Sequence, residues 1–167
     1  MNTTVITGFF NINRETHGDG RKLDDYIIWL KKTMLLNIPM VIFCELDTYN
    51  VIAHQREHLK HTKFIIIDDV YYFKYLDTVQ EISKNKTYLK NIKGKDRLEI
   101  KLPIYNLLIL NKIIWLKQVA DENYFNSKYF LWMDAGCSRF FGNIDLNELR
   151  INENKLADDK LNIQLKK

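Results

Sequence analysis

Proline occurs twice, glycine six times and cysteine twice in 167 residues. Each scarcity excludes a class of protein. Collagen-like and linker-like chains need far more glycine and proline than this. A disulfide framework needs more than Cys44 and Cys137, so a reducing compartment is expected. Long apolar runs are missing too. A membrane span takes roughly 18 uninterrupted apolar residues. The nearest approach, residues 102–119, is broken by Asn106, Asn111, Lys112 and Lys117. The first ten residues have no basic stretch followed by a long apolar one, so no secretory signal is expected and the cytoplasm is the default location. Neither Gly-x-Gly-x-x-Gly nor Gly-x-x-x-x-Gly-Lys-Ser/Thr occurs, which argues against nicotinamide, flavin and P-loop nucleotide sites.

What is present is a globular composition. At 46% hydrophobic and 28% charged residues the chain can build a core, and intrinsic disorder is excluded. Lys and Arg outnumber Asp and Glu by 25 to 21, a net charge of +4 that is too mild to argue for a nucleic-acid partner. The length suits one ordinary domain.

Residues 4–10 form a β-branched and aromatic run that reads as a first strand, followed by a turn-rich stretch with Asn11, Asn13, Gly18 and Gly20. Leu23, Tyr26, Ile27, Leu30 and Met34 then recur on one helical face. Pro39 ends that helix, and residues 40–44 are an apolar run of strand length. A short helix over 50–59, a strand over 64–67 and a helix over 71–82 are expected next. Residues 83–101 carry seven Lys or Arg against Asp96 and Glu99, a basic loop. It is either a solvated connection or an attractor for an anionic substrate or membrane surface. Residues 104–119 are apolar nearly all round and predict a buried helix, with Pro103 in its first turn. A last apolar strand, 129–133, ends in Asp134-Ala135-Gly136.

Continuous apolar strands separated by helices imply an α/β, Rossmann-like, mostly parallel sheet flanked by helices. Such sheets bind ligands beyond the carboxyl ends of their strands. Three of the four strand ends carry carboxylates: Glu45 with Asp47, Asp68 with Asp69, and Asp134. Asp134 either presents a carboxylate to a metal–diphosphate or ribose, with Gly136 allowing close backbone approach, or caps the following turn. Arg56 and Lys112 lie on apolar stripes and must meet an anion or snorkel outward. Phe9 and Phe10 could stack a nucleobase or pack in the core. His54, His58 and His61 share one face if the helix over 50–59 continues, which is read as solvated rather than as a zinc site. Cys44 and Cys137 are read as small buried hydrophobes, since no histidine is placed beside either.

Several segments resemble the HtrL/YibB family, to which WlaTC-type proteins also belong. They are Thr4-Val-Ile-Thr-Gly-Phe-Phe-Asn-Ile-Asn-Arg14, Pro39-Met-Val-Ile-Phe43, Leu102-Pro-Ile-Tyr-Asn106, Lys112-Ile-Ile-Trp115 and Phe130-Leu-Trp-Met-Asp-Ala-Gly-Cys-Ser-Arg-Phe140. The last block is the most specific. The family is associated with surface-polysaccharide and lipopolysaccharide genes and is similar to glycosyltransferases of the GT-A fold. The resemblance therefore implies a nucleotide-diphosphate sugar as donor and a glycan or lipid-linked hydroxyl as acceptor, with peripheral membrane contact.

Asp134 matches the first aspartate of the Asp-x-Asp motif of that fold, while Gly136 stands where the second would be. Lys112 matches a basic position in the preceding helix, and Thr7 with Phe9 falls in the nucleobase-facing loop. With Arg56 added from its apolar stripe, the expected nucleotide-sugar site is Thr7, Phe9, Arg56, Lys112, Asp134, Gly136 and Arg139. Asp134 would be the metal ligand for Mn²⁺ or Mg²⁺ held only together with a nucleotide diphosphate. Residues 1–142 are expected to be the binding domain, and 143–167 a polar tail or the start of an acceptor half. The rival expectation is a non-catalytic binding module on the same fold.

Overall fold

The computed structural model describes residues 2–67, 74–94, 96–146 and 149–156. Strand β1 (Thr3–Phe9) is followed by a single helical turn, α1 (Arg14–His17), and by α2 (Leu23–Met34). Next come β2 (Met40–Cys44), α3 (Leu46–Ile52) and β3 (Thr62–Ile66). The return to the sheet runs through α4 (Leu76–Lys84), α5 (Lys86–Asn91), α6 (Leu98–Lys101) and the long α7 (Pro103–Glu122) before β4 (Tyr129–Trp132). The four strands form one sheet in the order β3-β2-β1-β4, and every pairing is parallel. This is the α/β, Rossmann-like arrangement that the strand pattern predicts.

Alternation along β1 explains the two layers. Val5 and Phe9 point to one face, where they pack with Leu30 and Met34 of α2 and Ile52 of α3. Ile6 and Phe10 point to the other, against Leu107, Trp115 and Val119 of α7. Helix α2 has Asp24 and Asp25 in its first turn and Lys31 and Lys32 in its last, the order that its dipole favours. Pro39, just before β2, has no N–H to donate, and its carbonyl accepts from the Val5 N–H at 2.9 Å.

Three expectations change. The helix expected over 50–59 begins earlier, at Leu46, and gives way after Ile52 to a 3-10 turn, Ala53–Arg56. The three histidines therefore do not share a helix. The basic connection holds two short helices rather than a plain loop, and Asn85 caps α5 by accepting from the Tyr88 N–H at 3.0 Å.

Helix α7 is not buried all round. Ile109, Leu110, Ile113 and Ile114 are exposed, Ile113 to 73%. The sheet covers one side of the helix and α4 packs on another, which leaves the outer side uncovered among the described residues. Beyond residue 142, Leu146, Leu149 and Ile151 lie on the first core, and Glu153 accepts from Asn2 and, at 2.7 Å, from the Thr3 hydroxyl. Asp68, Asp69 and the start of the helix expected over 71–82 lie outside the described residues.

Candidate functional site

The order of the strands sets the site. From β1 the chain crosses to β2 on one side, and from β3 it crosses back to β4 on the other, so the order reverses at β1. Pairing of β1 with β4 stops at Ile6 and Trp132, and the Met133 N–H makes one further bond to the Ile6 carbonyl at 2.8 Å. Beyond that point the two chains diverge. Gly8 to Asn11 form one wall and Asp134 to Arg139 the other, around a cavity of about 480 Å³. Reversals of this kind open a crevice for ligands, and the volume is that of a small-molecule site.

Its floor is aromatic. Trp115 stacks on Phe10 at 5.3 Å, on Phe43 at 4.9 Å and on Trp132 at 6.1 Å. Gly8 permits this packing, because a Cβ there would stand 3.3 Å from both Trp115 and Trp132. Opposite lies Arg14, its guanidinium 5.3 Å from the ring centres of both Tyr26 and Tyr105 and bidentate on Asp19 at 3.1 and 2.6 Å. That arginine is wall rather than free charge.

Lys112 and Asp134 meet at the crevice. The Lys112 ammonium donates to Asp134 Oδ1 at 2.6 Å, and the Trp132 indole N–H donates to the same oxygen at 2.8 Å. Partial desolvation raises the Asp134 pKa. The bonds from Lys112 and Trp132, with the charges of Lys112 and Arg139, outweigh it and hold the carboxyl below its ordinary value. Arg139 lies over Trp29 at 5.3 Å and over Phe140 at 4.6 Å. Its guanidinium donors make no hydrogen bond among the described residues.

The loop carrying Asp134 is fixed from behind. Ser138 donates to the Trp29 carbonyl at 2.6 Å, and the buried Thr33 hydroxyl lies 3.0 Å from the Ala135 carbonyl. The block from Trp132 to Phe140 is thus tied to α2 while its charged groups face the cavity.

A family model described as a bacterial protein of unknown function, HtrL_YibB, matches residues 1–166. The chain belongs to the HtrL/YibB family. No curated protein and no solved structure matches it.

In this HtrL/YibB protein the cavity brings together five of the residues singled out in the sequence: Phe9, Lys112, Asp134, Gly136 and Arg139. Two do not belong. Thr7 is fully buried in the sheet, on the α2 face by alternation with Val5 and Phe9, and its hydroxyl has no partner among the described residues. Arg56 sits at the opposite, amino end of the strands and is 2% exposed. It donates to the carbonyls of Met34, Leu36 and Ile38 at 2.8–2.9 Å and to the Thr62 hydroxyl at 2.9 Å. These carbonyls belong to the end of α2 and the approach to β2, where a helix terminus leaves acceptors short of donors, and Leu36 accepts from the Ile38 N–H as well. Burial pushes the Arg56 pKa down to about 10, which still leaves it charged at neutral pH.

Gly136 has φ −88°, so its backbone suits any residue. A Cβ there would make ordinary contacts, 3.4–3.7 Å, with the rings of Trp29 and Tyr26. Burial pushes the Cys44 thiol up to about 12 and also raises that of Cys137, which suits packing groups rather than nucleophiles.

Two participants escape a reading of residues one at a time. Trp132 has a signal, since it stands two positions before Asp134 on a strand and shares its side. Arg14 with Tyr26 and Tyr105 has none, because the three come from separate segments.

Proposed function

We propose that this HtrL/YibB protein binds a nucleotide-diphosphate sugar in the crevice between β1 and β4. It would transfer the sugar to a hydroxyl of a glycan or lipid-linked acceptor in surface-glycan or lipopolysaccharide synthesis. The observation that carries the reading is the convergence of Asp134, Lys112 and Arg139 at the carboxyl end of β4, where the strand order reverses. The resemblance to GT-A glycosyltransferases supports it from the sequence side. In such a transfer the leaving diphosphate gains negative charge, and fixed cations at that position lower the barrier. The aromatic floor of Phe10, Trp115 and Trp132 offers flat apolar surface to a base or a sugar ring.

The residues present do not fit a resident divalent ion. Such ions take several oxygen ligands. Asp134 offers one carboxylate, whose Oδ1 already accepts from an ammonium and an indole, and Gly136 adds none. No group of three His, Cys, Asp or Glu side chains stands close enough together among the described residues to hold a metal. In this reading Mn²⁺ or Mg²⁺ arrives with the nucleotide diphosphate, as part of the substrate.

Among the described residues no helix is long and apolar enough to cross a membrane. Peripheral contact is the form of membrane association that the reading includes. Ile109 lines the cavity, and Ile113 continues that exposed ridge one turn along α7, which would bring a lipid-linked acceptor to the mouth. The cytoplasm is the location proposed with this reading.

A screen of melting temperature against UDP, GDP, CDP and ADP and their sugars tests the binding step. A ligand at one hundred times its dissociation constant adds about 2.7 kcal/mol of stability. No shift with any of them removes the proposal. A second reading, a non-catalytic binding module, is favoured by Gly136 in the place of a second carboxylate. Binding of a nucleotide sugar with no transfer of the sugar to any glycan acceptor or to water, and so no release of nucleoside diphosphate, would support that alternative.

A further inference from the structure

The cations of the crevice differ in what holds them, and the difference identifies a phosphate site. Arg14 is clamped between two tyrosine rings with two of its nitrogens on Asp19, and Arg21 shares that carboxylate at 3.3 Å while donating to the Tyr26 hydroxyl. Both serve the wall. Lys112 makes one strong contact, to Asp134 Oδ1, and its ammonium lies 5.6 Å from the centre of the Trp132 ring. An ammonium has three N–H donors, so capacity remains beyond that contact. Arg139 rests its flat guanidinium on Trp29 and Phe140, and its charge reaches Asp134 as well. The two rings hold the guanidinium carbon within 5.3 and 4.6 Å of their centres and leave its N–H donors for a bidentate anion.

We propose that Lys112 and Arg139 form a metal-independent clamp for the diphosphate, with Asp134 orienting Lys112 instead of serving as a metal ligand. The inference rests on the nucleotide-binding reading above and goes beyond it, because it assigns the charge neutralisation to two side chains. Lys112 Nζ lies 2.6 Å from Asp134 Oδ1, the place where an ion held by that oxygen would sit. A divalent ion there would lie against the ammonium and be repelled by it. Gly136, where a Cβ would make only ordinary contacts, gives that ion no second carboxylate. A diphosphate is met instead by a point charge on one side and a planar fork on the other.

Isothermal titration of the whole chain with UDP, GDP, CDP and ADP, each in EDTA and again in Mn²⁺, tests this. The expected result is binding of at least one nucleotide in EDTA, with an affinity within about threefold of that in Mn²⁺. Lys112→Met and Arg139→Gln should each weaken it about tenfold or more, Lys112→Arg should recover part of the loss, and added salt should weaken the wild type more than either variant. A melting curve for each variant shows that the fold is intact.

Binding that appears only with Mn²⁺ overturns the clamp and leaves the nucleotide-binding reading standing. Binding in EDTA that ignores both substitutions also overturns the clamp. No binding of any of the four nucleotides under either condition overturns both.

Discussion

Arg56 and Lys112 look alike in the sequence, each a basic residue on an apolar stripe, yet they occupy opposite ends of the same sheet. At the amino end Arg56 is buried, and its donors are engaged by three carbonyls and one hydroxyl of its own chain. At the carboxyl end Lys112 is about one-third exposed and holds one carboxylate that is itself two-thirds exposed. The first cation closes a fold. The second faces a cavity with donors in reserve. An apolar stripe explains why a charge must find a partner, but only the strand direction and the donor inventory tell which partner it is.

The comparison can be broken most strongly at Arg56. Arg56→Met would leave the Met34 and Ile38 carbonyls without their donor, the Leu36 carbonyl keeping only the Ile38 N–H, and loss of several charge-assisted hydrogen bonds should destabilise the protein by about 3 kcal/mol or more. Chemical denaturation measures it; a loss under about 1 kcal/mol would mean that water replaces the guanidinium and the amino end is not held by it.

Gly8→Ala comes next. Its Cβ would press on Trp115 and Trp132 at 3.3 Å, and overpacking of this kind costs about 1–3 kcal/mol. A shifted tryptophan fluorescence spectrum should accompany the loss, because both indoles line the cavity.

Thr7→Val should act in the opposite direction. A buried hydroxyl with no partner among the described residues is replaced by a methyl of similar size, a gain of about 1 kcal/mol or a rise of about 2–4 °C in Tm for a chain of this size. A fall in Tm would show that Thr7 has a partner after all.

The smallest effect belongs to the Lys112–Asp134 pair. As a partly exposed ion pair it should contribute under about 1 kcal/mol, so Lys112→Met should melt close to the wild type. The pH dependence has a definite sign. The Asp134 pKa is lowered on folding, so its contribution is present above the ordinary aspartate value and is lost as the pH falls through the folded one. Acid unfolding of Lys112→Met should therefore lack a small part of the wild-type decline below about pH 4.

Much of the fold is legible from pattern alone. Pro39 and five consecutive apolar residues define β2 to the residue, and the spacing of Leu23, Tyr26, Ile27, Leu30 and Met34 defines α2. Asp134 at the end of β4 follows from the rule for parallel sheets. Other features have no local signal. A helical wheel gives the side on which Arg56 lies but not the end of the sheet it reaches, since the turn at Ala53 re-aims it. Apolar residues all round α7 suggested full burial, yet Leu110, Ile113 and Ile114 remain outside because one sheet can cover only one side of a helix. The contact of Lys112 with Asp134 spans 22 residues and exists only once α7 and β4 pack together.

The most direct test of the division between the two ends is the nucleotide-induced rise in Tm of Lys112→Met. The rise is predicted to vanish or fall well below that of the wild type, while the melting temperature without nucleotide stays close to wild type. A variant that melts far below the wild type yet keeps the full rise would contradict it, and would make Lys112 a second Arg56.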